Sequence, residues 1–309
     1  MIQKATMVIE PIAPFDLATS SLVFIDGNRC VRTYQDGYFS QVIDIGNRRV
    51  WAKLTSNGCI NKPKLILELY TEGSCFSEEE KQQAMKVIAH IFSLDMPLKP
   101  FYDNVKGDAI MSQVTERLCG FKFPTTPTVF ESLIDAIVEQ QISIKVARSI
   151  EERLAVMFGE SVVVGGEEFF AFPSAAALVD AGVEGVRRAG LSLRKAEYIY
   201  GVAQLVVSGG LDLEGLKGFL DKSVVTVLDG IRGIGVWTAE LTMLRGMRRF
   251  DVLPADDFGL RRVISRYYCV SRVINALEAR QIADAWGAWK GLAAFYLIIA
   301  EGKNIVLGF

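Results

Sequence analysis

The sequence predicts an α+β protein: a β-rich N-terminal domain over residues 1–100, an antiparallel sheet with a helix, followed by a two-lobed helical body over residues 101–309. Three observations predict it. Between Leu22 and Tyr70, short β-branched and aromatic runs alternate with Asp-Gly and Asn-Gly turn signals. Beyond Pro97 and Pro100, apolar residues recur at helical spacing instead. The 309 residues, half of them hydrophobic, are enough for two or three cores at about 150 residues per domain.

In chain order, Leu22–Ile25 reads as a strand closed by Asp26-Gly27-Asn28, Tyr38–Ile43 as a strand closed by Gly46-Asn47, and Val50–Leu54 as one closed by Asn57-Gly58. Leu65–Tyr70 adds a further strand. Ser77-Glu78-Glu79-Glu80 has the form of a capped, acidic helix start, and Ala84 to Phe92 continue it at helical spacing. After an extended stretch at Pro124–Thr128, apolar positions from Phe130 to Val146 repeat as a helix that runs to Phe158. Helical patterns follow over Ser174–Ala181, Gly182–Ala189, Arg194–Ser208, Leu213–Leu220, Ser223–Leu228, Val236–Met247, Asp256–Tyr267 and Ala276–Ala300.

Composition narrows the chemistry. Mean hydropathy is +0.25, yet charge interrupts the apolar runs, so no segment reads as the roughly 20 residues of a membrane span. No apolar core with a small-residue cleavage site follows Met1, and an intracellular location is expected, cytoplasmic and nucleoid-associated, or nuclear in a eukaryote. The five cysteines lack Cys-x-x-Cys spacing, which argues against a zinc site, disulfide framework or iron–sulfur cluster. A single histidine, His90, disfavours Ser-His-Asp chemistry and multi-histidine metal sites. Catalysis would then run on carboxylates, backbone and aromatics. With a net charge of −2, any nucleic-acid contact must come from a local patch and from backbone amides.

One stretch, Leu228 to Arg262, carries the chemistry. Gly233-Ile234-Gly235 lets two short helices meet at a turn whose bare N–H groups can grip a phosphate oxygen. It follows a helix rather than a strand, and the third glycine of a dinucleotide fingerprint is missing, so a Rossmann turn is disfavoured. Downstream, Pro254-Ala255-Asp256-Asp257 places two carboxylates at a helix start, where the helix N-terminus favours negative charge. Both aspartates also read simply as helix caps.

The hairpin Gly230–Ala239, the Pro254–Asp257 segment and Glu139-Gln140-Gln141-Ile142-Ser143 upstream together resemble the helix-hairpin-helix DNA glycosylase superfamily, and most closely its 3-methyladenine DNA glycosylase II branch. The resemblance covers nearly the whole chain. It implies a monomeric enzyme that flips alkylated bases, of the 3-methyladenine and 7-methylguanine type, out of double-stranded DNA and hydrolyses the N-glycosidic bond. Asp257 is then the catalytic carboxylate, stabilising an oxocarbenium-like sugar and orienting water, while Asp256 keeps the capping role. Bifunctional relatives carry a nucleophilic lysine where this chain has Trp237, which implies a monofunctional hydrolase.

The resemblance also supplies Trp237, Phe258, Phe295 and Tyr296 as base-pocket candidates, with Leu241 and Ile298 where some relatives carry aromatics. Gln141 becomes the minor-groove wedge. Gly233, Gly235 and the Trp237 amide become phosphate donors, with Arg194, Lys195, Arg245, Arg248 and Arg249 supplying local positive charge. No cofactor is expected beyond a K⁺ or Na⁺ ion on the hairpin carbonyls when DNA is bound. Two alternatives stand beside this reading: a glycosylase for oxidised or deaminated purines, and a non-catalytic helix-hairpin-helix module that only binds DNA.

Overall fold

The computed structural model describes residues 2–303. Its fold is α+β. Five antiparallel strands, β1 (Ile2–Ile9), β2 (Arg32–Gln35), β3 (Tyr38–Ile45), β4 (Arg48–Ser56) and β5 (Leu65–Glu72), form a sheet of order β1-β5-β4-β3-β2. The edge strand β1 escapes sequence inspection because both of its faces mix polar and apolar residues and only Ala5 is fully buried, so its sequence shows no apolar alternation. Leu22–Ile25, expected as a strand, is instead a 3₁₀ turn over Leu22–Phe24 that follows the short helix α1 (Leu17–Ser20). Local bonds win over β-propensity there: Asp16 caps Thr19 at 2.7 Å, and Phe24 N–H donates to Ser21 at 2.9 Å.

Helix α2 (Glu78–Ile91) begins with a reciprocal capping box between Ser77 and Glu80 and packs Ala84, Ile88 and Ile91 onto the sheet. His90 lies in its last turn, its Nε2 without a hydrogen-bond partner. Burial first, then the nearby Lys217 and Arg248, push its pKa down to about 4. The unfolded chain takes up this proton near pH 6.5 and the folded one only near pH 4, so the contribution of neutral His90 is complete above the first value and lost as pH falls toward the second. The melting temperature of the wild type is expected to fall over that window by more than that of His90→Gln, which calorimetry at about pH 7 and about pH 4.5 checks.

The sheet core closes with Leu94, and the next core begins at Met96. Beyond it come α3 (Lys99–Val105), α4 (Ala109–Arg117), α5 (Val129–Glu139) and α6 (Ile144–Phe158). The hairpin of β6 (Ser161–Val164) and β7 (Glu167–Phe170) then packs Phe169 on Trp51 at 4.7 Å, covering the second face of the sheet. Its signal was the pair Gly165-Gly166, both at positive φ, between two β-prone runs. Helices α7 (Ala175–Arg188), α8 (Leu193–Val207), α9 (Asp221–Asp229), α10 (Val236–Gly246), α11 (Phe258–Tyr268), α12 (Ala276–Ala283) and α13 (Lys290–Gly302) complete the body.

Two cores divide these helices into lobes. One joins α5–α10, the other joins α3 and α4 to α11–α13, and α10 supplies Met243 to the first and Leu244 to the second. Three expected helices differ. The run from Phe130 to Phe158 breaks at Gln141, whose φ is +56°, and Ser143 caps a new helix. Leu213–Leu220 holds only a 3₁₀ turn at Gly215–Gly218. The last pattern breaks at Gly287, with φ +56°. By length and composition alone, the run Ala276–Gly302 is apolar enough to cross a membrane. The bend at Gly287 divides it, and α13 lies in the core of its lobe.

Candidate active site

A cavity of about 330 Å³ opens between the lobes. Trp237, Leu241, Asp257, Leu260, Phe295 and Ile298 line one end of it. Asp257 is placed by its own backbone: with φ −64° and ψ 122° it is the N-cap of α11, and its Oδ1 accepts the Leu260 N–H at 2.7 Å. The other oxygen, Oδ2, accepts the Trp237 indole N–H at 3.2 Å. Capping was expected of Asp256. That residue is exposed one position too early, because the helix begins at Phe258, and the cap and the cavity carboxylate are one residue. Behind it, Leu253, Pro254 and Ala255 are buried. Arg280 ties this segment down, donating to the Leu253 carbonyl at 2.9 Å and to Glu240 on α10 at 2.8 and 3.0 Å. Burial raises the Glu240 carboxyl to about 7 against the pull of Arg280.

The hairpin joins α9 to α10. Gly233 sits at φ +91°, and a Cβ there would lie 2.2–2.5 Å from the Tyr198 ring. Gly235 is the N-cap of α10 and offers no side-chain acceptor, so the first amides of that helix have no side-chain cap. The hairpin is locked to the end of α5 through Gln140, whose Nε2 donates to the Gly233 carbonyl at 2.9 Å and to Thr238 Oγ1 at 3.0 Å. Sequence reading passed over Gln140. The side-chain amide of a glutamine beside a break in a helix was the available signal. Gln141, next to it, is exposed in a left-handed conformation at the same break.

Several expected placements do not hold. Phe258 is 74% exposed and does not line the cavity. Tyr296 is fully buried in the lobe core, donating to the Phe121 carbonyl at 2.6 Å. Both errors follow from helical geometry, since neighbours turn about 100° apart and Phe295 faces the cavity while Tyr296 cannot. Phe295 stacks face to face on Phe123, with centroids 3.5 Å apart, and Phe123 is a lining aromatic that periodicity had not flagged. Lys195, expected on phosphate, donates to the Val138 and Gln140 carbonyls at 2.7 and 2.5 Å and so satisfies the open end of α5. Burial lowers its pKa. Arg194 remains exposed. Arg245, Arg248 and Arg249 are not free positive charge, because they pair with Glu139, Asp95 and Asp221. Among the described residues, no group of three or more His, Cys, Asp and Glu side chains is arranged to hold a metal ion.

Comparison with known proteins gives the family. A family profile described as HhH-GPD superfamily base excision DNA repair protein matches residues 134–288, which contain Gln141, the hairpin and Asp257. The chain is 28% identical over 270 residues to the DNA-3-methyladenine glycosylase of Bacillus subtilis, covering 87% of this chain and 88% of the relative. It is 26% identical over 272 residues to DNA-3-methyladenine glycosylase 2 of Escherichia coli, covering 88% and 89%. The solved structure of a 3-methyladenine DNA glycosylase from Archaeoglobus fulgidus superposes with a TM-score of 0.86 at 28% identity, over 97% of this chain and all of that one. With half of its length matched by the profile, and with the profile's residues contributing the hairpin and the Asp257 carboxylate just described, this chain belongs to the HhH-GPD superfamily of base excision DNA repair proteins.

Proposed function

We propose that this DNA N-glycosylase excises alkylated bases, 3-methyladenine and 7-methylguanine among them, from duplex DNA by hydrolysis alone, leaving an abasic site. One observation carries the reading: the Asp257 carboxylate lines an aromatic cavity and accepts the indole N–H of Trp237, the residue that the family resemblance sets against the nucleophilic lysine of bifunctional members. A base turned into the cavity would meet the Trp237, Phe295 and Phe123 rings, and an alkylated purine already carries positive charge that an electron-rich ring face attracts by roughly 0.5–2 kcal/mol. As the glycosidic bond stretches, positive charge grows on the sugar, and a fixed carboxylate stabilises it. The alkylated base leaves as a neutral group and needs no proton donor.

The exposed Gln141 would fill the gap left in the stack and hydrogen-bond the orphaned partner base. Gly233, Gly235 and the open amides of α10 would hold the phosphate beside the flipped nucleotide, with a K⁺ or Na⁺ ion on the hairpin carbonyls and Arg194 nearby. The enzyme would act as a monomer. Incubation with N-methylated duplex DNA should release free methylated bases and leave alkali-labile sites, while borohydride added during turnover should trap no protein–DNA adduct. A trapped adduct would point to an amine nucleophile and overturn the hydrolytic reading; no base release would overturn the enzymatic one.

A further inference from the structure

The wall of the cavity also holds charge that the excision chemistry does not use. Asp135 and Glu139 of α5, Glu151 and Arg148 of α6, Arg245 of α10 and Arg32 of β2 meet there. Glu131, one turn before Asp135, joins them from behind. Two pairs are direct: Arg32 donates to Glu131, and Arg245 to Glu139 at 2.5 Å. Asp135 and Glu151 are left over. Asp135 is 9% exposed, and its Oδ1, like Glu151 Oε1, is buried without a hydrogen-bond partner.

Five carboxylates share this space, counting Glu152, which accepts the Asn28 N–H at 2.8 Å, with two guanidinium groups already engaged and a third, that of Arg148. Like charges so confined cannot all ionise, and at least one proton stays with the pair left over. Burial, then Glu151 and Glu131, raise the Asp135 carboxyl, and Glu151 is pushed up to about 8 by burial and Glu139.

On a purine, the edge of the six-membered ring lies farthest from the glycosidic nitrogen. With the sugar at Asp257, that edge points away from the catalytic carboxylate into the rest of the cavity. Building on the glycosylase reading above, we propose that Asp135 is a specificity-determining residue that reads this edge of a flipped alkylated adenine, a carboxyl O–H on Oδ2, the oxygen not sealed from the cavity, donating to N1. An ionised carboxylate offers only acceptors and would face the N1 lone pair. A guanine edge presents N1–H and N2–H donors, which need acceptors only and so do not require the proton on Asp135.

The test measures release of 3-methyladenine and 7-methylguanine from the same methylated duplex by wild type, Asp135→Leu and Asp135→Asn. Their ratio does not depend on the folded fraction of a preparation. Asp135→Leu is expected to lower the 3-methyladenine to 7-methylguanine ratio of kcat/KM about tenfold, and Asp135→Asn, which keeps one donor and one acceptor, to restore it. Wild-type 3-methyladenine excision should weaken as pH rises and the shared proton is lost, whereas Asp135→Asn should lack this alkaline limb. A ratio in Asp135→Leu within about twofold of wild type, or an alkaline limb that persists in Asp135→Asn, overturns the proposal. Release of neither methylated base by the wild type would instead sink the alkylbase-glycosylase reading on which it rests.

Discussion

Asp257→Asn is expected to reduce base release about 10³-fold while leaving DNA binding and fold in place. The magnitude follows from the charge removed. A carboxylate about 4 Å from a full positive charge, at the effective dielectric of a partly exposed protein site, stabilises it by about 4 kcal/mol. At about 1.4 kcal/mol per decade this is roughly three orders of magnitude in rate. The fold survives because Asn serves as well as Asp at an N-cap. One mismatch remains. Asp257 accepts two hydrogen bonds, from Leu260 N–H on Oδ1 and from Trp237 Nε1 on Oδ2, whereas the amide of Asn has one acceptor oxygen. Leaving one donor unmet costs about 1 kcal/mol, so a melting temperature a few degrees below wild type is expected. Single-turnover excision from methylated duplex, beside a binding titration on an abasic duplex, separates the two effects. Base release within tenfold of wild type would remove Asp257 from the chemistry.

The sequence made legible whatever depends on local pattern. The capping box of α2, the glycine hairpin before α10 and the carboxylate opening α11 are each specified by a few neighbouring residues, and each is present. What escaped depends on partners distant in the chain. β1 can be recognised as a strand only through its pairing with β5, more than fifty residues away, because its own sequence shows no apolar alternation. Lys195 and Arg245 looked like free positive charge because neither Gln140 nor Glu139 is their sequence neighbour. Which of two adjacent aromatics faces the cavity turns on about 100° of helix rotation, so Phe295 and Tyr296 were inseparable until the pitch of α13 was fixed. The buried carboxylates on α5 were hidden for a related reason. Glu131, Asp135 and Glu139, four residues apart, share one helical face, and nothing in the neighbouring sequence tells that β2, α6 and α10 close over it.

Gly233→Ala is expected to be the most destabilising single-methyl change in the hairpin. An L-residue at φ +91° is strained by about 1–2 kcal/mol, and the added Cβ would fall 2.2–2.5 Å from three atoms of the Tyr198 ring. Overpacking of that kind costs about 1–3 kcal/mol more. The sum, roughly 2–5 kcal/mol, corresponds to a melting temperature lower by about 4–20 °C at roughly 2–4 °C per kcal/mol. Gly235→Ala is the internal control, since Gly235 has negative φ and nothing within 4 Å of the place its new methyl group would take. It should move the melting temperature by a degree or two, as Ala is only a poorer N-cap than Gly. The effect of Gly233→Ala should also reach DNA. The Gly233 carbonyl is held by Gln140, so a displaced hairpin loosens the end of α5 that presents Gln141 as well as the amides of α10. Combining Gly233→Ala with Tyr198→Ala separates the two costs: removing the ring should recover the overpacking share and leave only the backbone strain. Equal melting temperatures for Gly233→Ala and Gly235→Ala would show that the hairpin yields freely and that the Tyr198 contact does not fix its shape.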